Sequence, residues 1–511
     1  SSVPRGGGGL VSGKDYRRFR SRRMFSPVRA RIKEAKPDRA RGFSYDTSQG
    51  LPAANRPGGK GCQTASGDFT HDDTLCAASV DVAFRLSDGR HRQNGGGAFI
   101  LIYAMTTLAI ALPILIAEIM LGRMGRQSPI NAMRTLIAEN RALRFWTLIG
   151  WGGTIGAFIV LSYYSVIGGW SLRYIELALT GAFSGETNAA ASEHFSVFVA
   201  DPASVWMWQT LFLVLVIGIV AAGVTSGIER AVVLLMPLLF FLLAGMALYA
   251  TTTPGFGEAM RFMFAFKLAD VTPDTILAAI GQGFFSVSVA LGAMMTYGAY
   301  LDKEASIGRA AVIIVIADTI VALLAGIAIF PLVFTYGLEP GEGPGLTFIT
   351  LPIAFGTIGG GILIGTVFFF LLSVAAVTSA ISLLEPVVAW VEEGIRLPRP
   401  ALAVIVGTLA WVAGIGTVFS FNLWESYYPL ARFGVMAGMT IFDVLDFTTS
   451  NIIMPAVGLL MSLFAGWVLS GPTVEEALGV KGKAWFRLWR FSLRYIAPLG
   501  VISIFVAKVL M

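Results

Sequence analysis

Three oxygen-bearing side chains sit where a lipid-embedded helix would not ordinarily carry them. Asp318 lies mid-way along VIIVIADTIVALLAG, with no Lys or Arg within one or two helical turns. A carboxylate so placed is either neutral or held by a cation, because the hydrocarbon supplies no counter-ion. A bound metal ion and a protonated structural aspartate are both open readings. Thr378 and Ser379 are neighbours in LLSVAAVTSAISLL. Either hydroxyl alone would bond back to a carbonyl one turn earlier. Two together among small residues also make an oxygen-rich surface of the kind that hard cations select over nitrogen or sulfur.

A fourth stretch, GQGFFSVSVALGAMMTYGAY (281–300), is long and apolar enough to cross a bilayer, yet carries Gln282, Ser286, Ser288 and four glycines. Glycine costs a helix about 1 kcal/mol relative to alanine. In lipid, freed peptide groups are tolerated only where protein or a cavity satisfies them. The reading is a helix broken near its middle, whose bared carbonyls can bind cations and whose half-helix N-terminus can attract carboxylates; the alternative is a small-residue packing face. Glu118, in LPILIAEIMLGR, is either functional or a packing group whose side chain reaches the near interface. The three glycines of NGGGAFILIY read as a loop-to-helix hinge, with close backbone approach as the alternative.

The elements that position these residues are membrane helices. The chain of 511 residues is 55% hydrophobic and 14% charged, and long apolar windows recur along it. Alternating strand patterns are absent, which argues against an outer-membrane barrel. Ten spans are expected, at 97–122, 143–178, 205–222, 228–250, 273–300, 306–336, 358–394, 400–419, 438–469 and 486–510. The loops 123–144, 223–230, 301–309, 392–399 and 479–494 carry 15 Lys and Arg, while the intervening loops carry only Arg261, Lys267 and Arg432. The first set is therefore expected on the cytoplasmic side, in a multi-pass plasma (inner) membrane protein. Residues 1–93 differ in kind. They hold 18 of the 38 Lys and Arg, both cysteines (Cys62 and Cys76), and no sustained periodicity. The net charge of +6 belongs to this tail and does not argue for nucleic-acid binding. Nothing resembles a nucleophile–base pair or a phosphate loop, and the only histidines are His71, His91 and His194. An enzyme is not expected.

The ordered motifs NGGGAF, SYYSVIGGW, GIERAVVLLMP, GQGFFSVSVALGAMMTYGAYL, TFITLP, AVTSAISLLEP and FDVLDFTTSN resemble those of the neurotransmitter:sodium symporter family, and among its members the bacterial amino-acid transporters of eleven spans. The likeness runs from Asn94 to Met511. It implies an all-α polytopic membrane protein with an inverted-repeat transporter fold and discontinuous helices. The family's first span, with a sequence like Gly-Asn-x-x-Arg-Phe-Pro, should precede NGGGAF; here stands DVAFRLSDGRHRQ, which carries no such motif. Residues 1–93 are thus expected to be a disordered or misassigned beginning, and 94–511 the transporter domain.

The resemblance implies roles for individual residues. Tyr164 matches the tyrosine that bonds the substrate carboxylate, and Phe285, Ser288, Leu291, Ser379 and Leu383 match other substrate-lining positions. Ser286 and Asp318 match ligands of a first sodium site; the Ala375 carbonyl, Thr378 and Ser379 match a second. Asp446 and Gln282 resemble parts of an outer gate, and Tyr300 and Glu393 parts of an inner one. Tyr103, Gln282 and Ser286 match the surroundings of the family's chloride site, but Ala322 stands where a serine or carboxylate is expected. Asp318 could supply the charge that chloride supplies elsewhere, so chloride is not expected to be required. The function implied is sodium-coupled import of a small amino acid or related amine by alternating access. A transporter-derived membrane sensor is the alternative, and oligomeric state is not indicated.

Overall fold

The computed structural model of the chain describes residues 96–185, 188–338, 346–433, 436, 438–480 and 484–507. The expectation for residues 1–93 lies outside these. The spans are α1 (Gly97–Gly125), α3 (Arg144–Leu179), α4 (Pro202–Ala221), α5 (Val224–Ala250), α8 (Ile307–Thr335), α9 (Gly361–Gly394), α10 (Arg399–Ser420), α11 (Ile441–Val468) and α12 (Ala484–Phe505). Among the described residues these nine helices are long and apolar enough to cross a membrane. A short amphipathic helix, α2 (Pro129–Glu139), joins α1 to α3. The tenth expected span is two short helices, α6 (Pro273–Ser286) and α7 (Ala293–Tyr300). Among the described residues the only β-pairing outside helices is an isolated bridge between Gly96 and Phe266.

Helices α3 and α9 share the most extensive interface, and α9 is buried along most of its length. Around them α4, α5, α10 and α8 close one side, while α1, α11 and α12 flank the α6–α7 pair. In lipid, helices gain little from apolar contact alone and depend on close backbone approach. Helix α7 achieves this against α1. A Cβ on Gly122 would stand 1.8 Å from the Met295 carbonyl oxygen, and one on Gly298 would stand 2.3 Å from that of Ile119. Any side chain at either glycine would push the half-helix off its support.

Candidate ion and substrate site

Helix α6 starts with a capping box, in which Thr272 accepts from Thr275 N–H and the Thr275 hydroxyl accepts from Thr272 N–H, with Pro273 at the first helical position. It stops at Ser286, and the six residues that follow turn in no regular helix. Three of them, Ser288, Ala290 and Gly292, have φ of +47°, +77° and +76°. For Ser288 and Ala290 this left-handed backbone is strained, a feature that persists only where the surroundings impose it. What imposes it is Glu118. Its carboxylate accepts from the N–H of Ala290 at 2.7 Å and of Gly292 at 3.0 Å. Glu118 is fully buried. It does not reach the interface, as one reading of the sequence allowed. It caps the broken strand and the positive end of α7.

At the other lip of the break, three oxygens converge. The Tyr103 hydroxyl donates to Asp318 Oδ2 at 2.8 Å and lies 3.1 Å from Ser286 Oγ, and the Ser286 hydroxyl donates to the same carboxylate oxygen at 2.5 Å. Ser286 is the last residue of α6, Asp318 comes from the middle of α8 and Tyr103 from α1. All three are essentially inaccessible, as is Gln282 one turn before Ser286 on α6. Carboxylate and hydroxyl oxygens at a helix break suit a hard monovalent cation. Ala322, one turn beyond Asp318, is buried against Tyr103 in a small apolar cluster.

On α9 the Thr378 hydroxyl donates to the carbonyls of Val374 and Ala375, at 3.1 and 2.9 Å. This is the ordinary back-bonding of a helix hydroxyl. That donation leaves the Thr378 lone pairs unspent, and Ser379 beside it is buried. The expected substrate-lining apolar side chains come together: Leu291 and Leu383 share one buried cluster, against which Tyr164 and Phe285 pack. Ser288 lies within the break itself, its hydroxyl donating to the Phe285 carbonyl at 3.3 Å.

Comparison with known proteins supplies the family. The model of the sodium:neurotransmitter symporter family matches residues 90–195 and 194–511. The chain belongs to that family. It is 37% identical over 415 residues to the uncharacterized sodium-dependent transporter YhdH of Bacillus subtilis (strain 168), covering 81% of this chain and 90% of that one. It is 31% identical to an uncharacterized sodium-dependent transporter of Haemophilus influenzae, covering 81% and 91%. The crystal structure of MhsT in complex with L-phenylalanine superposes with a TM-score of 0.76 and 34% identity, over 85% of this chain and 98% of that one. The symporter is therefore an all-α, multi-pass membrane transporter and not an enzyme, with the discontinuous-helix fold that the motifs implied.

The residues matched to gates have these partners in the symporter. Asp446, at the end of the short first turn of α11, lies 3.3 Å from the hydroxyls of Tyr163 and Ser450. Glu393 accepts from Ser128 N–H and the Asn131 amide, each at 2.6 Å, and from the Ser128 hydroxyl at 2.5 Å. It thus caps α2. Tyr300, at the end of α7, donates instead to Glu385 Oε1 at 2.7 Å. Glu385 is fully buried and forms an ion pair with Arg399, which also reaches Glu392 at 2.8 Å and the Val220 carbonyl at 3.2 Å. Sequence reasoning missed this cluster. Its signal was present: Glu385 is a carboxylate inside a span, and Arg399 stands at the start of the next.

Proposed function

We propose that this symporter imports a small amino acid or related amine, driven by inward sodium flow, through alternating access. The observation that carries the reading is the interrupted α6–α7 helix with the oxygens of Asp318, Ser286 and Tyr103 at its lip. One sodium ion sits against Asp318 and Ser286. A second sits against the Ala375 carbonyl and the hydroxyls of Thr378 and Ser379. The L-phenylalanine bound in MhsT supports a zwitterionic amino acid as the substrate.

The half-helix ends support an orientation for that zwitterion. The N-terminus of α7 already carries the Glu118 carboxylate, so it is not the receptor of the substrate's own carboxylate. The C-terminal carbonyls of α6 form a negative end that attracts the amine. The carboxylate is left to Tyr164, and the side chain enters the apolar cluster of Phe285, Leu291 and Leu383, with Ser288 and Ser379 at its edge. Asp446 with Gln282 guards the outer side; Tyr300 and Glu393 guard the inner. Asp318 supplies the negative charge beside Tyr103, Gln282 and Ser286, so chloride is not required.

Reconstituted protein should accumulate at least one of the twenty amino acids against a gradient when sodium is imposed outside, and not when potassium replaces it. A ligand that raises thermal stability in sodium but is never accumulated would instead favour a sensor, a reading that transporter relatives do not favour.

A further inference from the structure

Helices α1, α8 and α12 enclose a lateral groove of about 790 Å³, lined by side chains such as Met105, Leu108 and Leu488 that are exposed on the bilayer side. Its walls are apolar, with Met105, Leu108, Leu112 and Val312 along its length and Trp485 and Trp489 at one end. The floor is firmly held. The Trp489 indole N–H donates to the Pro113 carbonyl at 3.1 Å, and the Ser492 hydroxyl donates to that of Ala109. At the tryptophan end stands Arg309, exposed, in the first turn of α8. A cation there opposes the usual helix preference, because the N-terminus is already the positive end. The two together favour an anion.

Ser306 and Val480, which line both, separate the groove from a neighbouring polar pocket of about 600 Å³. That pocket presents Arg123, Arg126 and Lys303 against Glu304 and Glu476. Arg123 is committed to the Ala305 and Ala477 carbonyls, which leaves Arg126, Lys303 and Arg309 to set the field at the junction. These residues all lie on the face that the positive-inside distribution puts in the cytoplasm, where the leaflet is anionic. Indole rings at that level mark the interfacial belt.

We propose that the groove is a site for one anionic phospholipid. An acyl chain lies along α1 and α8, the phosphate sits between Arg309 and the N-terminus of α8, and the remaining headgroup points toward the polar pocket. The apolar length demands a tail, and the excess of basic over acidic groups at the mouth demands a negative head.

The test is native mass spectrometry of the full chain after exchange into mixed micelles of equimolar phosphatidylglycerol and phosphatidylcholine. Wild type should retain phosphatidylglycerol at least fivefold over phosphatidylcholine. Arg309→Gln, an exposed change that leaves the fold intact, should bring the ratio close to one. Val312→Trp, which fills the groove, should lower retention of both lipids. Equal retention by wild type, an undiminished preference in Arg309→Gln, or displacement of the lipid by millimolar glycerol 3-phosphate would each overturn the proposal, the last by revealing a soluble-anion pocket. Since the readout is lipid retention, it stands apart from any failure of the transport reading.

Discussion

Glu118 and Gly292 are 174 positions apart in the chain and 3.0 Å apart in space, carboxylate oxygen to backbone nitrogen. Together with the bond from Ala290, this contact explains how a transmembrane segment can be unwound at low cost. A buried N–H left without a partner costs about 1–3 kcal/mol. Glu118→Ala strands two of them, and should lower the thermal midpoint in detergent by several degrees and cut uptake at least tenfold. Glu118→Gln should fall between, because its amide nitrogen would face an N–H with another donor. Glu118→Ala with wild-type uptake would show that the break stands without its cap.

Asp318 is the carboxyl member of the Tyr103–Ser286–Asp318 cluster, and the proposed ion site needs it ionised. Asp318→Asn keeps the size and an acceptor oxygen but removes the charge. Apparent sodium affinity should fall about tenfold, a loss of about 1.4 kcal/mol, and the remaining uptake should rise when chloride replaces gluconate. Wild type should respond to neither anion. Chloride-dependent uptake by the wild type, or chloride-indifferent uptake by the variant, would contradict the assignment of that charge.

What could be read from the sequence follows a physical division. The spans are set by local hydropathy, and the interruption of 281–300 by local residue types, so both were legible. Asp318 stood out because a carboxylate in a lipid span is itself anomalous. Partners were not legible. Glu118 reads equally well as a snorkelling side chain until the backbone of 290–292 is seen beside it, and nothing near Glu393 announces Ser128 or Asn131, more than 260 residues away. Charge pairing across helices depends on rotation and depth, which local pattern does not carry. The same holds for Glu385, whose partner comes from the next span.

The Glu385–Arg399 pair ties α9 to α10, and through the Tyr300 hydroxyl it also holds the end of α7. Removing one member of a buried pair leaves an uncompensated charge, at a cost of about 3–5 kcal/mol. Arg399→Met should therefore destabilise the detergent-solubilised protein strongly, while the double variant Glu385→Met, Arg399→Met should regain much of the loss. Tyr300→Phe removes one hydrogen bond and should cost only about 1 kcal/mol, yet it loosens the end of α7, which then keeps the Tyr297–Ser382 hydroxyl bond to α9. If the cluster holds the inward side shut, cysteine labelling at that face should rise in Tyr300→Phe without a matching fall in the melting temperature. Unchanged labelling would make the cluster purely structural.

Leu291 closes the apolar cluster from the side of the break, and its neighbour across the gap is a glycine. A Cβ on Gly156 would stand 3.1 Å from both Leu291 Cδ2 and Ile453 Cγ2, tighter than ordinary contact. If this cluster takes the substrate side chain as proposed, its room is set by how far Leu291 and Ile453 extend toward a backbone that carries nothing. A methylene gained or lost in such a pocket is worth about 1–3 kcal/mol. Leu291→Ala should then favour larger side chains and Leu291→Phe smaller ones, each shifting the affinity ratio of phenylalanine to alanine by tenfold or more, in opposite directions. Competition against a labelled substrate across an alanine, valine, leucine and phenylalanine series reads this directly. Gly156→Ala should act like Leu291→Phe, since its methyl enters the same space from the opposite wall. If both changes at Leu291 move the ratio the same way, the side chain alters the shape of the break rather than lining the pocket, and the selectivity must be sought at Phe285 and Leu383 instead.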